Sequence, residues 1–213
     1  MWSNYAIEYS KFKFAKMQTL NNLPMTHDIN VIASDHVKTV ALMSHINVRK
    51  QRKKERRVCM ITERLKIRKF TNNDLMELYN LLSDEDVMEF IEPPFSWKKT
   101  ANFLNSVALI DSPLIYAVED FNQKFIGYVI FHEYDKDSFE FGWIMNKRYW
   151  GKGYANELTK AFINRSSEIG KNLIIECAPN QENSKRIAMK NNFEFIGESD
   201  GCSVFKRKLI NKI

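Results

Sequence analysis

Cysteine is scarce in this chain and badly placed for metal. Cys59, Cys177 and Cys202 are the only three in 213 residues, and no two are spaced as a ligand pair. His27, His36, His45 and His132 show no metal spacing either. No metal site is therefore expected, and scattered thiols fit a reducing cytoplasm. Long apolar runs are missing too. Nothing approaches the ~20 residues of a membrane span, and no N-terminal stretch has signal-peptide form. There is no internal repeat. What is present is 44% apolar residues, enough for a packed core, in a length that allows one domain plus an appendage.

The net charge of +6 is unevenly shared. Residues 1–59 hold 11 Lys+Arg against 4 Asp+Glu, and residues 60–213 hold 21 against 22. The basic excess thus lies wholly in the first segment, mostly at 49–57. The remainder lacks the basic surface of a nucleic-acid binder, so nucleic acid is expected only through that run. Residues 1–59 show no clean period beyond a brief alternation at Tyr9–Phe14 and a short helical pattern at Val37–Val48. They read as a basic extension: a solvated linker, a tail for an anionic surface, or a translated leader with Met60 as the true start. Arg52–Arg57 can be encoded wholly by purine codons, as a ribosome-binding site would be. A native peptide spanning Cys59 and Met60 would contradict the leader reading.

From Met60 the pattern becomes regular. Leu65, Ile67 and Phe70 mark a strand. Thr71-Asn72-Asn73-Asp74 reads as a capping box before a helix with Leu75, Leu78, Tyr79 and Leu82 on one face. Pro93-Pro94 breaks the chain. Ser96 caps a second helix with Trp97, Ala101, Leu104 and Ala108 on one side. Strands follow at 114–119, 125–132 and 139–145. A helix over 152–169 closes at Gly170. Then come a strand at 173–178, a helix at 183–190 and a hairpin at 193–196 and 204–209. The class is α+β, with the order β-α-α-β-β-β-α-β-α-β-β.

The chain centres on Arg148-Tyr149-Trp150-Gly151-Lys152-Gly153-Tyr154-Ala155, between an aromatic strand and a helix. Glycines let backbone approach a ligand, and free N–H groups at a helix start face an anion. The spacing fits neither the nucleotide-triphosphate loop nor the dinucleotide fingerprint. Arg-x-x-Gly-x-Gly-x-Ala resembles the acetyl-coenzyme A loop of the GNAT superfamily of N-acetyltransferases. Its wording, Tyr-Trp-Gly-Lys-Gly-Tyr-Ala-x-Glu, is similar to the branch that contains the ribosomal-protein-alanine N-acetyltransferases. The resemblance covers residues 60–209 and implies a central mixed, mostly antiparallel sheet flanked by helices.

The same resemblance implies the site. Arg148, Trp150, Gly151, Lys152, Gly153, Tyr154 and Ala155 would hold the pyrophosphate of acetyl-CoA, the co-substrate. A backbone N–H of Ile144 or Met145 would face the oxyanion. Asn180–Phe193 resembles the family's second cofactor segment, with Ser184, Lys190 and Phe193 in register. The usual asparagine is Gln181, so Asn183 is taken as the contact, and the usual glycine is Asn192. Ala188 stands where many members have a tyrosine acid, and the branch gives that role to Ser184. Helix capping is the alternative for Asn183 and Ser184.

Glu140 shares a strand face with Gly142, opposite Phe139, Phe141 and Trp143. It reads equally as a functional carboxylate, either a base acting through water or a contact for the acceptor, or as a structural hydrogen-bond acceptor. A lysine amine costs roughly 4–5 kcal/mol to neutralise at pH 7 and an α-amine about 1. A site without an obvious strong base therefore suits an α-amine, or an amine whose pKa neighbouring positive charge has lowered. The acids Asp84, Glu85, Asp86, Glu89 and Glu92 beside aromatics suit a cationic acceptor or are simply a solvated helix end.

The leading expectation is an acetyl-CoA-dependent N-acetyltransferase acting on a protein N-terminus or small-molecule amine, as monomer or homodimer, with no membrane partner. The alternatives are a non-catalytic acyl-CoA-binding module and an acetyltransferase tethered to nucleic acid by 49–57.

Overall fold

The computed structural model describes residues 60–209. Tyr9–Phe14, 37–48 and the basic run 49–57 lie outside the described residues. The strands are β1 (Met60–Ile61), β2 (Leu65–Arg68), β3 (Ile115–Asp120), β4 (Phe125–Asp135), β5 (Ser138–Met145), β6 (Asn172–Cys177), β7 (Glu194–Ser199) and β8 (Cys202–Arg207). The helices are α1 (Leu75–Leu82), α2 (Glu85–Met88), α3 (Trp97–Phe103), α4 (Tyr154–Ile169) and α5 (Glu182–Lys190). The expected order is present, with β1 and α2 added. The strands form one sheet in the order β1-β2-β3-β4-β5-β6-β8-β7. Every neighbouring pair is antiparallel except β5 and β6. This is the mixed, mostly antiparallel α+β architecture expected. Among the described residues no helix is long and apolar enough to cross a membrane.

Two apolar clusters cover opposite sheet faces. On β3, Tyr116 and Val118 join one cluster while Ile115 and Ala117 join the other, as strand alternation requires. The first cluster packs Leu158 and Phe162 of α4 on Phe131, Phe139 and Phe141. The rings of Phe141 and Phe162 stack at 4.7 Å. The second packs Leu78, Leu81 and Leu82 of α1, with Leu104 and Val107, on Tyr128.

The Thr71–Asp74 cap forms. Asp74 accepts from the Thr71 N–H at 2.7 Å and its hydroxyl at 3.0 Å, ahead of α1. Trp97 departs from expectation. It is exposed and meets the Tyr79 ring edge-on at 5.3 Å. Trp97 is the first residue of α3, at the helix's exposed end, whereas Leu104, Val107 and Ala108, in the π turn over Leu104–Ala108 that follows α3, are buried.

β4 carries a bulge that the sequence reading missed. Val118 opposes Gly127 but Glu119 opposes Phe125, so one residue is extra. Side-chain parity flips there. Ile126, Val129 and Phe131 face the α4 layer, while Phe125, Tyr128 and Ile130 face α1 and α3. Gly127 has φ +156°, and a Cβ on it would lie 2.1 Å from the Ile144 carbonyl oxygen.

Candidate active site

β5 and β6 pair only from Ser138–Asn172 to Glu140–Ile174 and then part. The rest of β5, through Met145, therefore has no β6 neighbour and borders a gap. The residues singled out in the sequence gather around this opening. The 148–155 turn follows the end of β5, and the first turn of α5 follows the end of β6.

Backbone direction along β5 is fixed by its other neighbour. The Asn146 N–H donates to Ile126 O at 3.0 Å, and the Ile144 carbonyl lies against Gly127. By alternation the backbone groups of Met145 face the gap and those of Ile144 face β4. The Met145 carbonyl accepts from the Trp150 indole N–H at 2.8 Å. Its N–H is the one of the two expected donors directed at the gap.

The turn after β5 is built for an anion. A 3-10 turn at Lys147–Tyr149 is capped by Asn146, whose side-chain oxygen accepts from the Arg148 backbone N–H at 3.2 Å and from Nε at 3.0 Å. The Trp150 backbone N–H donates to Lys147 O, so it is engaged within the turn and unavailable to a ligand as the sequence reading had it. Gly151 and Gly153 are left-handed at φ +72° and +82°. A Cβ on Gly151 would meet nothing within 4 Å, and one on Gly153 only Arg64 Nη2 at 3.6 Å. The cradle is thus open within the protein, with room for a ligand against bare backbone. α4 begins at Tyr154, and its first internal bond at this end is Glu157 N–H to Gly153 O at 3.1 Å. The N–H groups of Tyr154, Ala155 and Asn156 precede it and carry the positive end of the helix dipole.

A clamp absent from the sequence reading holds this turn. Glu157, in the first turn of α4, accepts from the Thr62 hydroxyl at 2.5 Å and the Arg64 backbone N–H at 2.9 Å. The Arg64 guanidinium completes the pair at 2.7 Å through Nε and 2.6 Å through Nη2. It also donates to Lys152 O at 3.0 Å and lies over the Tyr154 ring. Burial alone would raise the Glu157 carboxyl, but the Thr62 and Arg64 hydrogen bonds outweigh it and hold it below the usual range. Its stabilising contribution is therefore full above the ordinary glutamate value and is lost as pH falls through the lowered folded value. We expect Arg64→Ala to weaken coenzyme A binding about 5- to 20-fold in a titration, since a half-exposed charged pair of this kind contributes about 1–2 kcal/mol. Turnover at saturating acetyl-CoA should barely change. Unchanged affinity in a folded variant would mean that the clamp does not set the turn.

On α5, Gln181 is the N-cap and makes no side-chain cap bond. Asn183 and Ser184 lie within the first turn, so neither is the capping residue of the alternative reading. Ala188 is fully buried against the first cluster, and Asn192 adopts φ +59°, the left-handed conformation expected of the glycine it replaces.

Glu140 stands at the closed end of the gap, five residues and roughly 16 Å along β5 from Met145. Its carboxylate lies 3.4 Å from Nε2 of His132, directly across on β4. The acids before α3 are largely engaged. Asp84 caps α2, Asp86 pairs with Lys147, and Glu92 pairs with Lys99 at 2.5 Å. Glu85 and Glu89 remain exposed. Burial raises the Cys177 thiol to about 11, which leaves it a core residue.

A family model described as an acetyltransferase (GNAT) domain matches residues 64–194. The chain is 32% identical over 136 residues to the uncharacterized N-acetyltransferase YnaD of Bacillus subtilis (strain 168), covering 61% of this chain and 78% of that protein. The solved acetyltransferase (GNAT family) from Bacillus anthracis is 27% identical, with a TM-score of 0.61 over 69% of this chain and 95% of that one. RimL, a ribosomal L7/L12 α-N-protein acetyltransferase solved with coenzyme A, matches at a TM-score of 0.61 over 71% of this chain and 98% of that one. At 15% identity this last likeness shows the fold alone.

Proposed function

This chain belongs to the GNAT acetyltransferases, enzymes that use acetyl-CoA, and we propose that it acetylates a primary amine, either a protein N-terminal α-amine or a small-molecule amine. Attack is direct, within a ternary complex. The observation that carries the reading is the parting of β5 from β6 with the left-handed glycine turn at its open end. The wording of the turn, Tyr-Trp-Gly-Lys-Gly-Tyr-Ala-x-Glu, supports the ribosomal-protein branch. The catalytic unit is residues 60–213, and 1–59 is a basic extension.

Bound acetyl-CoA supplies a thioester carbonyl. The protein's part is to hold and polarise it. The N–H groups of Gly151 to Ala155, with Arg148 and Lys152 adding charge, receive the pyrophosphate. The Met145 N–H is the donor for charge that develops on the carbonyl oxygen. Asn183 contacts the pantetheine arm, and Ser184 donates to the departing sulfur. Glu140, with His132, takes the amine's proton through intervening water. The distance from Met145 permits no direct transfer, and an α-amine requires little.

Ser184→Ala should lower kcat at least tenfold with little change in acetyl-CoA affinity, because the hydroxyl acts late. Glu140→Gln should depress activity most at low pH, where neutral amine is scarce. A Glu140→Gln enzyme with the parental pH profile would leave the carboxylate a structural partner of His132.

A further inference from the structure

A basic concavity lies where α4, the C-terminal end of α5 and the end of β8 meet, apart from the glycine turn and the first turn of α5. It has a volume of about 370 Å³ and is lined by Lys160 and Asn164 of α4, Lys190 of α5, Asn191, Asn192 and Arg207. Three cations and three amides share one space, and no carboxylate lines it. None of these three cations is in an ion pair among the described residues. Residues 60–213 carry 21 basic and 22 acidic side chains, so a general basic surplus does not explain the convergence. Like charges drawn together repel, and an anion between them removes that cost.

The walls belong to the scaffold. Asn191 is only 7% exposed. Its amide donates to Asn156 Oδ1 at 3.0 Å and to Ile187 O at 2.8 Å. The Asn191 backbone carbonyl accepts from Arg207 Nη1 at 2.7 Å. One buried residue therefore ties α4, α5 and β8 together and fixes the guanidinium, which keeps further N–H donors. The Asn191 amide is spent on this tie, and the neutral amides of Asn164 and Asn192 supply donors without adding repulsion. Several donors of this kind suit a compact anion with three terminal oxygens better than a carboxylate with two.

We propose that this concavity binds a phosphate monoester dianion. The dianion has two possible sources. Coenzyme A carries a 3′-phosphate on its ribose, and Asn156, Lys160 and Asn164 lie on one face of α4, with Lys160 roughly 9 Å along the helix from Tyr154. A separate phosphorylated ligand has the same chemistry. The pocket reading stands on its own lining residues and does not need the glycine-turn assignment.

The test is calorimetric titration of the full chain with coenzyme A, with dephospho-coenzyme A and with inorganic phosphate. It is repeated on the doubly substituted Lys160→Gln/Lys190→Gln protein, whose changes are at exposed positions. If the cofactor's own phosphate is the ligand, coenzyme A binds about tenfold tighter than its dephospho form, and the double variant reduces the difference to about twofold. If the ligand is separate, the two cofactors bind alike, while inorganic phosphate binds saturably and loses that binding in the variant. A preference for coenzyme A that survives the double variant overturns the proposal. So does the absence of both effects, or phosphate binding that the variant leaves unchanged. Binding of dephospho-coenzyme A reports on the glycine turn separately, so failure of one reading does not resemble failure of the other.

Discussion

Gly127→Ala is expected to destabilise the protein by about 4 kcal/mol or more, through a strained backbone and a forced displacement of β5. The added Cβ would lie 2.1 Å from Ile144 O and 2.8 Å from Met145 Cα, both backbone atoms with no rotamer to yield. The φ of +156° is itself a conformation that alanine rarely adopts. For a domain of this size the melting temperature should fall by about 8–16 °C, or the protein should be recovered unfolded. Gly142 on the neighbouring strand is the control. Its Cβ would meet the flexible end of Ile130 at 3.2 Å, so Gly142→Ala should stay within about 1 kcal/mol of the parent. A Gly127→Ala protein melting within about 2 °C of the parent would mean that the bulge is not held by this close approach. The consequence reaches the site because Met145, itself part of the clash, presents the gap-facing N–H.

Gly153→Val should weaken coenzyme A binding about 100-fold or more while the fold persists. The protein alone leaves room at this position, the nearest atom being Arg64 Nη2 at 3.6 Å. The restriction comes from two other sources. Valine at φ +82° is strained, and relief of that strain would turn the N–H groups of the α4 start away from the ligand. Its branched side chain would also fill the cradle that the glycines leave open. Loss of one or two charge-assisted hydrogen bonds corresponds to an affinity change of this size. Calorimetry on a variant shown to be folded by circular dichroism measures it directly. Unchanged affinity would remove the pyrophosphate from this turn.

The glycine turn, the aromatic alternation of β5 and the caps of α1 and α4 were legible because each is encoded locally. Phe139, Phe141 and Trp143 alternate with Glu140 and Gly142 as expected, since one face meets α4. The β4 bulge was not legible. Phe125 to Phe131 is apolar on both faces, so a parity flip leaves no mark in the pattern. The Arg64–Glu157 clamp joins residues 93 apart, and although Glu157 ends the glycine-turn motif, nothing in the sequence pattern ties it to Arg64. Trp97 was misplaced because it opens α3: the 3.6-residue period puts it in line with Ala101 and Leu104, but a residue in the first turn of a helix can stand at its exposed end. Two-residue β1 and four-residue α2 are too short to show any period. Of the two backbone donors named in advance, Met145 was separated from Ile144 only by strand pairing.

The central claim is transfer, and free-thiol release measures it most directly. The full chain is incubated with acetyl-CoA and a panel of N-terminal peptides and small amines at pH 7 to 8. Thiol appearance is followed, and acetylated product is identified by mass. At least one amine is expected to give thiol and acetyl-amine in equal amounts, at a rate that Ser184→Ala cuts at least tenfold. Tight acetyl-CoA binding with no thiol release above the amine-free rate, across the whole panel, would contradict transfer and leave an acyl-CoA-binding module.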